Sequence, residues 1–431
     1  MRSAPVQHRG VALILVLTTI AILTAIGVDF SYSSRVSLKL AENLRDETRA
    51  YYMARSAVNL SRLLLHFQKQ VDQLGGQLTQ GLTRALTQAN PPAQPAPGQP
   101  ATAPAPASSL GIRLWEILPI DSNAFGALMA GNLEGLSADK PPSETQPIPA
   151  KGAVTHEFGG FDGSFNARIV DENSRINVRG LGALQTSGTP AATLIQLRAT
   201  MADPKYDFIF DEDDANRDRV RREDVILALK DWIDEDETGS AIDPTNTVAP
   251  FVNGFSDENS AYDRYVPRYK AKNAPFDSLE ELYMVRGVND RFMAAFGDRL
   301  TVWLTVDGKL NINTNDPLQM LTNILSAAAN PNDPKLRDPR LLAIVLQEIQ
   351  VRKMFSFLGL SAQDFLAILT ANGIQVNAIL NNPRAPSNFL ASTSDTFRIT
   401  ATGRAGRIEK TLTAVVRYDD LLGKLLYWKE D

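Results

Sequence analysis

The feature that most constrains this chain is an unbroken apolar run near its start. Val11–Val28, VALILVLTTIAILTAIGV, contains 18 residues and no charge. A helix of about 18–20 apolar residues spans the hydrocarbon core of a bilayer. Arg2 and Arg9 precede the run, so the positive-inside rule keeps the N-terminus in the cytoplasm and sends the remainder out. The same residues also fit a cleaved secretory signal, with Ala25-Ile26-Gly27 as a cleavage site. The residues beyond Val28 favour an anchor. There is no proline between Val11 and Leu74, and the one glycine in that span is Gly27. Leu40, Leu44, Tyr51 and Val58 recur at helical spacing, with charges such as Lys39, Glu42 and Arg45 between them. The pattern predicts one helix over 11–74, about 95 Å long, ended by Gly75-Gly76. Its lengthwise apolar stripe suits packing against similar helices.

Composition removes several function classes. With no cysteine there are no disulfides, thiolate metal sites or cysteine nucleophiles. Three scattered histidines, His8, His66 and His156, argue against a histidine-based centre. A net charge of −5 argues against a nucleic-acid binder. No Walker loop, nucleophile elbow or zincin motif is present, and the expectation is that the protein is not an enzyme.

Breakers and periodicity set the organisation. Asn90–Ala107 holds seven prolines and reads as an extended linker, and Lys140–Ala150 as another loop. Ile112–Leu118 reads as a short strand and Val154–Val178 as β structure. Helices are expected over Ala191–Met201, Val220–Asp236, Ser278–Val285, Pro317–Ala329, Pro339–Leu358 and Ala362–Leu369. Asp316-Pro317 and Asp338-Pro339 place a cap before a first-turn proline, and Ser278 with Glu281 forms a capping box. Strands return at Thr396–Thr402, Ile408–Val416 and Leu425–Trp428. The economical fold is α+β: a long N-terminal helix and one β-sheet interrupted by a helical insertion. The expected segments are 1–10, 11–74, a Gly/Pro-rich linker at 75–110, sheet residues 111–188, a helical insertion at 189–373, and closing strands at 374–431. A weak internal echo relates Val170-Asp171…Arg175-Ile-Asn-Val178 to Val306-Asp307…Lys309-Leu-Asn-Ile312.

The strongest chemical signal is acidic. Asp203 to Asp263 carries 18 carboxylates against 6 basic side chains. Such crowding needs solvent or a cation, and oxygen-only donors suit calcium. Asp234-Glu-Asp236-Glu-Thr238-Gly239 matches the first half of an EF-hand loop, but Thr245 stands at the twelfth position. A solvated acidic loop is the simpler reading of composition alone. Ser278–Val288 has the pattern of a helix-hairpin-helix, which binds DNA backbones elsewhere, but the acidic surroundings oppose that use.

Two motifs carry a family resemblance. Arg9-Gly10 followed at once by VALILVL resembles a type IV prepilin leader. That resemblance implies cleavage by a prepilin peptidase between Gly10 and Val11, with methylation of Val11. The glutamate usual at the fifth mature position is Leu15 here. That absence, with FSYSSRVSLKLAENLRDETRAYYMARSAV and the chain's length, resembles the minor pseudopilin K branch of type II secretion (general secretion pathway protein K). The resemblance extends to Asp231-Trp-Ile-Asp234-Glu-Asp236, Glu258-Asn259 and Asn273-Ala-Pro-Phe276. It implies a pilin-type αβ core with a helical insertion, and calcium held by Asp231, Asp234, Asp236, Glu258 and Asn259. It implies a single-pass inner-membrane location with the bulk in the periplasm, and a place at the tip of the pseudopilus beside minor pseudopilins I and J, above the major pseudopilin G. Alternatives from the residues are a minor pilin of a type IV pilus, or a secreted calcium-dependent binding or hydrolytic protein.

Overall fold

The computed structural model describes residues 9–89, 113–129, 163–212, 219–246, 249–306, 309–314, 317–330, 333–355, 360–377, 380, 390–419 and 423–431. The proline-rich stretches, the cap at Asp316, His156 and the leader before Arg9 lie outside these residues.

Helix α1 runs from Arg9 to Ala89. It passes through Gly75-Gly76 instead of ending there. Glycine weakens a helix by about 1 kcal/mol per residue, too little to stop one with no proline before Pro91. The expected stripe docks only at its far end, where Val58 is buried and Tyr51 partly buried. Leu40 and Leu44 are exposed, whereas Ala50, Met53, Ala54, Ala57, Val58, Ser61, Leu65 and Gln68 are buried. These eight fall at three- and four-residue steps and are mostly small, which lets a sheet approach the helix closely.

After α1 come α2 (Leu114–Ile117), β1 (Ile120–Asp121), α3 (Ser122–Met129), β2 (Ser164–Asp171) and β3 (Ile176–Asn177). The strand expected at Ile112–Leu118 is therefore a helical turn followed by a two-residue strand. Trp115 fixes it against Phe397 at 4.9 Å. Next come α4 (Thr189–Met201), α5 (Asp207–Asp211), α6 (Arg222–Asp231), β4 (Thr238–Ile242), β5 (Phe251–Asp257), α7 (Asp290–Phe296), β6 (Leu300–Thr301) and β7 (Leu310–Asn311). The last elements are α8 (Pro317–Ala327), α9 (Pro339–Phe355), α10 (Ala362–Ala371), β8 (Leu390–Ala391), β9 (Thr396–Ala405), β10 (Ile408–Arg417) and β11 (Lys424–Glu430).

The main sheet has the order β1-β2-β9-β10-β11, antiparallel throughout. Strands β2 and β9 are neighbours in space, with Ser164 opposite Arg404 and Asp171 opposite Phe397. Everything between them in sequence is an insertion. Along β9 and β10 the alternating residues Phe397, Ile399, Ala401, Leu412, Ala414 and Val416 pack on α1. Val415, Leu426 and Tyr427 meet the helical insertion on the other face. Gly403 sits where the sheet crosses α1: a Cβ there would lie 2.1 Å from the Ala50 carbonyl oxygen and 2.4 Å from the Ala54 nitrogen.

The insertion carries two cores. One gathers Leu197, Leu229, Trp232, Phe276, Phe292 and Phe296. The other gathers Ile312, Ile324, Val345, Phe365 and Ile368. A buried polar network joins insertion and sheet where the chain leaves and returns. Asp171 accepts from the Asn173 amide, Asn311 Nδ2 (2.7 Å) and Ser394 Oγ (2.6 Å). Asn173 Oδ1 accepts from the amides of Asp395 and Thr396. Glu172, wholly buried, pairs with Arg398 at 2.8 Å, and that guanidinium lies over Trp303. The sequence echo has a structural counterpart: Ile176-Asn177 and Leu310-Asn311 each form a two-residue parallel bridge, to β6 and β8 respectively.

Two helix expectations change the most. The helix of Val220–Asp236 is confined to Arg222–Asp231, because the chain turns at Trp232 to bring the acidic residues together. The helix of Ser278–Val285 is a 3-10 turn, Glu280–Met284, and Glu281 accepts from the Asp277 amide in place of the expected box with Ser278. The cap at Asp338 forms, its Oδ1 accepting from the Arg340 amide. In the helix-hairpin-helix pattern, Gly287 adopts φ +83° and is packed against Val220 and Val225, so the turn serves the core.

Candidate metal centre

Helix α6 positions the first two candidate ligands. Asp231 is its last residue, and the turn continues because the Asp234 amide donates to the Lys230 carbonyl. A three-residue step on a helical turn puts Asp231 and Asp234 on one side. Trp232 and Ile233 between them point into the core. The Trp232 ring stacks on Phe276, packs edge-on against Tyr262, and donates Nε1–H to Glu281 at 3.0 Å. That anchoring fixes the direction of both carboxylates.

The β4–β5 hairpin brings the third. Thr238 pairs with Asp257, and the Glu258 amide donates to the Glu237 carbonyl. Glu258 is thereby folded back over α6. Ligand oxygens of Asp231, Asp234 and Glu258 lie within 4.8 Å of one another. Glu258 is 5% exposed, no donor meets its carboxylate oxygens in good hydrogen-bond geometry, and the Asn273 side chain beside it offsets burial only in part. Asp234 Oδ1 and Asn273 Oδ1 are also buried and unpartnered. Asn273 adopts φ +50° while its Nδ2 donates to the Asp236 carbonyl.

The electrostatics are set by burial. Desolvation, with the charges of Asp231, Asp234 and Asp236, pushes the Glu258 carboxyl up to about 7. Desolvation, with Asp234 nearby, raises Asp231 to about 6 despite a hydrogen bond from Ser240. Asp234 is raised by burial, and Lys230 at 2.5 Å opposes the rise. Buried carboxylate oxygens without donors are costly unless protonated or bound to a cation. The donor set is all oxygen, which fits calcium better than a transition metal. Asp231, Asp234 and Glu258 would hold the ion, and Asn273 Oδ1 is an unpartnered neutral oxygen in the same loop region.

The other two expected ligands each have their side-chain Oδ1 engaged. Asp236 Oδ1 accepts from the Thr238 amide, and Asn259 Oδ1 accepts from the Ala271 amide. Asp236 shapes the local charge, and Asn259 ties the next loop. The three clustered carboxylates come from a helix end and a hairpin instead of one EF-hand loop. Asn273 and Lys230 were not anticipated as parts of the site. Lys230 was readable as the i,i+4 partner of Asp234; the left-handed backbone of Asn273 leaves no such mark in sequence.

At the other end of the chain, Gly10 and Val11 lie in the first turn of α1. Leu15 is 61% exposed, and Leu13 to Val28 present apolar side chains outward. Among the described residues, one helix is long and apolar enough to cross a membrane.

No family model matches the chain. No curated protein matches it in sequence. Among solved structures, it is similar to a chain of the GspK-GspI-GspJ complex of the Type 2 Secretion System from enterotoxigenic Escherichia coli. The TM-score is 0.42 and the identity 17%, covering 62% of this chain and 80% of that chain.

Proposed function

We propose that this chain is a membrane-anchored, pilin-type subunit whose role is structural. More particularly, it acts as the K-type minor pseudopilin of type II secretion, helping to start the pseudopilus and export folded proteins. The observation that carries the reading is the division of α1. Its first part bears exposed apolar side chains from Leu13 to Leu44, while one face of Ala50–Leu65 is buried against an antiparallel sheet. A helix that is half free and half docked can pack lengthwise against other such helices while its head stays folded. The leader-like Arg9-Gly10-Val11 supports processing by a prepilin peptidase, with an inner-membrane anchor and a periplasmic head. Leu15 supports the topmost position, where no further subunit supplies an amine for a glutamate to neutralise. Minor pseudopilins I and J are the lateral partners, and the major pseudopilin G lies below. Calcium at Asp231, Asp234 and Glu258 locks the hairpin onto α6.

The test is reconstitution. The full chain, purified in detergent, should co-elute with minor pseudopilins I and J as one complex of defined stoichiometry. Separate elution of all three, with each folded, would remove the tip assignment.

A further inference from the structure

Lys230 precedes Asp231, the last residue of α6, and reaches forward to Asp234. Its Nζ donates to Asp234 Oδ2 at 2.5 Å, and each of the two side chains is only 12% exposed. Ser240 Oγ meets the same oxygen at 3.4 Å. The other oxygen, Asp234 Oδ1, is buried and has no partner. A cation is therefore already seated on one oxygen of a carboxylate that clusters with Asp231 and Glu258.

The charges fit a divalent ion. Ionised, Asp231, Asp234 and Glu258 carry three negative charges, and the Lys230 ammonium reduces the excess to two. Burial pushes the Asp231 and Asp234 carboxyls up, and Lys230 opposes the rise at both. Without an ion the lysine thus relieves carboxylate repulsion. With an ion it stands beside a second cation on a shared carboxylate, and little water screens the two from each other. Its effects on the two states have opposite signs.

We propose that Lys230 is a tethered counter-ion that sets the calcium affinity of this centre and its preference for divalent over trivalent ions. The inference rests on the calcium reading of the cluster. Lys230 acts through Asp234 and does not touch the ion. A lysine that only braced the end of α6 would, when replaced, lower stability with and without calcium alike. Replacing a counter-ion lowers stability without calcium and tightens calcium binding.

The test uses the full chain in detergent, stripped with chelator at pH 8. Calcium is titrated by calorimetry, and terbium by luminescence excited through Trp232, which lies between Asp231 and Asp234. Lys230→Met removes the ammonium, keeps an unbranched stem and supplies no oxygen ligand. Its melting temperature should fall in chelator, because a buried carboxylate loses its partner, and recover in millimolar calcium. Its calcium dissociation constant should be at least about tenfold lower than that of the unaltered chain. The gain should be larger for terbium, since repulsion grows with the charge of the ion. Lys230→Arg keeps the charge and should stay within about threefold of the unaltered chain. Should Lys230→Met not fold after stripping, Lys230→Gln retains a neutral N–H for Asp234 and reads the charge alone. Calcium binding that these neutral variants leave unchanged or weaken overturns the counter-ion role and leaves the metal centre standing. Absence of calcium binding in the unaltered chain and in both neutral variants overturns the two together.

Discussion

Glu258 is the residue on which the candidate metal centre turns. Its ordinary value is 4.5, and it stands at about 7 in the folded chain; Asp231 moves from 3.8 to about 6. Between roughly pH 4 and 7 the metal-free native state therefore holds protons that the unfolded chain has lost. Stability from this cluster is fully present below about pH 4 and is lost as pH rises from there to about 7. Calcium needs the protons gone, so its stabilisation should grow from pH 5 to pH 8. Thermal melts at both pH values, with chelator and with millimolar calcium, check both signs. Glu258→Gln removes a buried charge, so it should raise the chelator-treated melting temperature at pH 8 while reducing the calcium response. Asp236→Ala should keep most of that response, because its carboxylate bonds the Thr238 amide instead of converging on the cluster. Magnesium should stabilise less than calcium, as it requires a tighter octahedron. Of the five expected ligands, Asp231, Asp234 and Glu258 come together. The helical step makes the first two legible, whereas the choice of Glu258 over Asn259 depends on hairpin register, which the alternation of β5 does not reveal.

At the scale of elements, α1 decides the architecture. Its existence is plain from an apolar run continued by proline-free helical sequence, but its docking face is not. A face of Ala50, Ala54 and Ala57 carries little hydrophobic signal, and Leu40, about five full turns from buried Val58 and so on the same side, is exposed, so periodicity does not say where docking begins. The close approach shows only in the partner strand, at Gly403. Gly403→Ala should therefore cost about 2–3 kcal/mol, as overpacking against fixed backbone does, and chemical denaturation of the full chain would measure it. An unchanged midpoint would mean that the strand and α1 stand farther apart. Toward the N-terminal end of α1, Leu15→Glu places a carboxylate on an apolar helix at about 2.5–3.5 kcal/mol on insertion scales. Reduced membrane insertion is expected, and undiminished assembly with minor pseudopilins I and J would contradict the topmost position. The closing strands could be found in sequence with edges off by one to three residues, since both sheet faces are covered and strict alternation is lost at Val415-Val416.

The whole molecule is a helix, a sheet and a helical insertion held by paired stems. The α+β arrangement could be read from the order of patterns. The network of Asp171, Glu172 and Asn173 that closes the stems could not, because its partners Asn311, Ser394 and Arg398 lie more than 100 residues away. The pilin reading stands on α1 being a retained anchor and not a discarded signal. Mass spectrometry of the mature N-terminus, on full-length protein expressed with a prepilin peptidase, separates the two. The mature chain should begin at N-methylated Val11, and the leader should stay in place when Gly10 is replaced by leucine. A mature chain beginning near Val28, or normal processing of Gly10→Leu, would contradict the retained anchor.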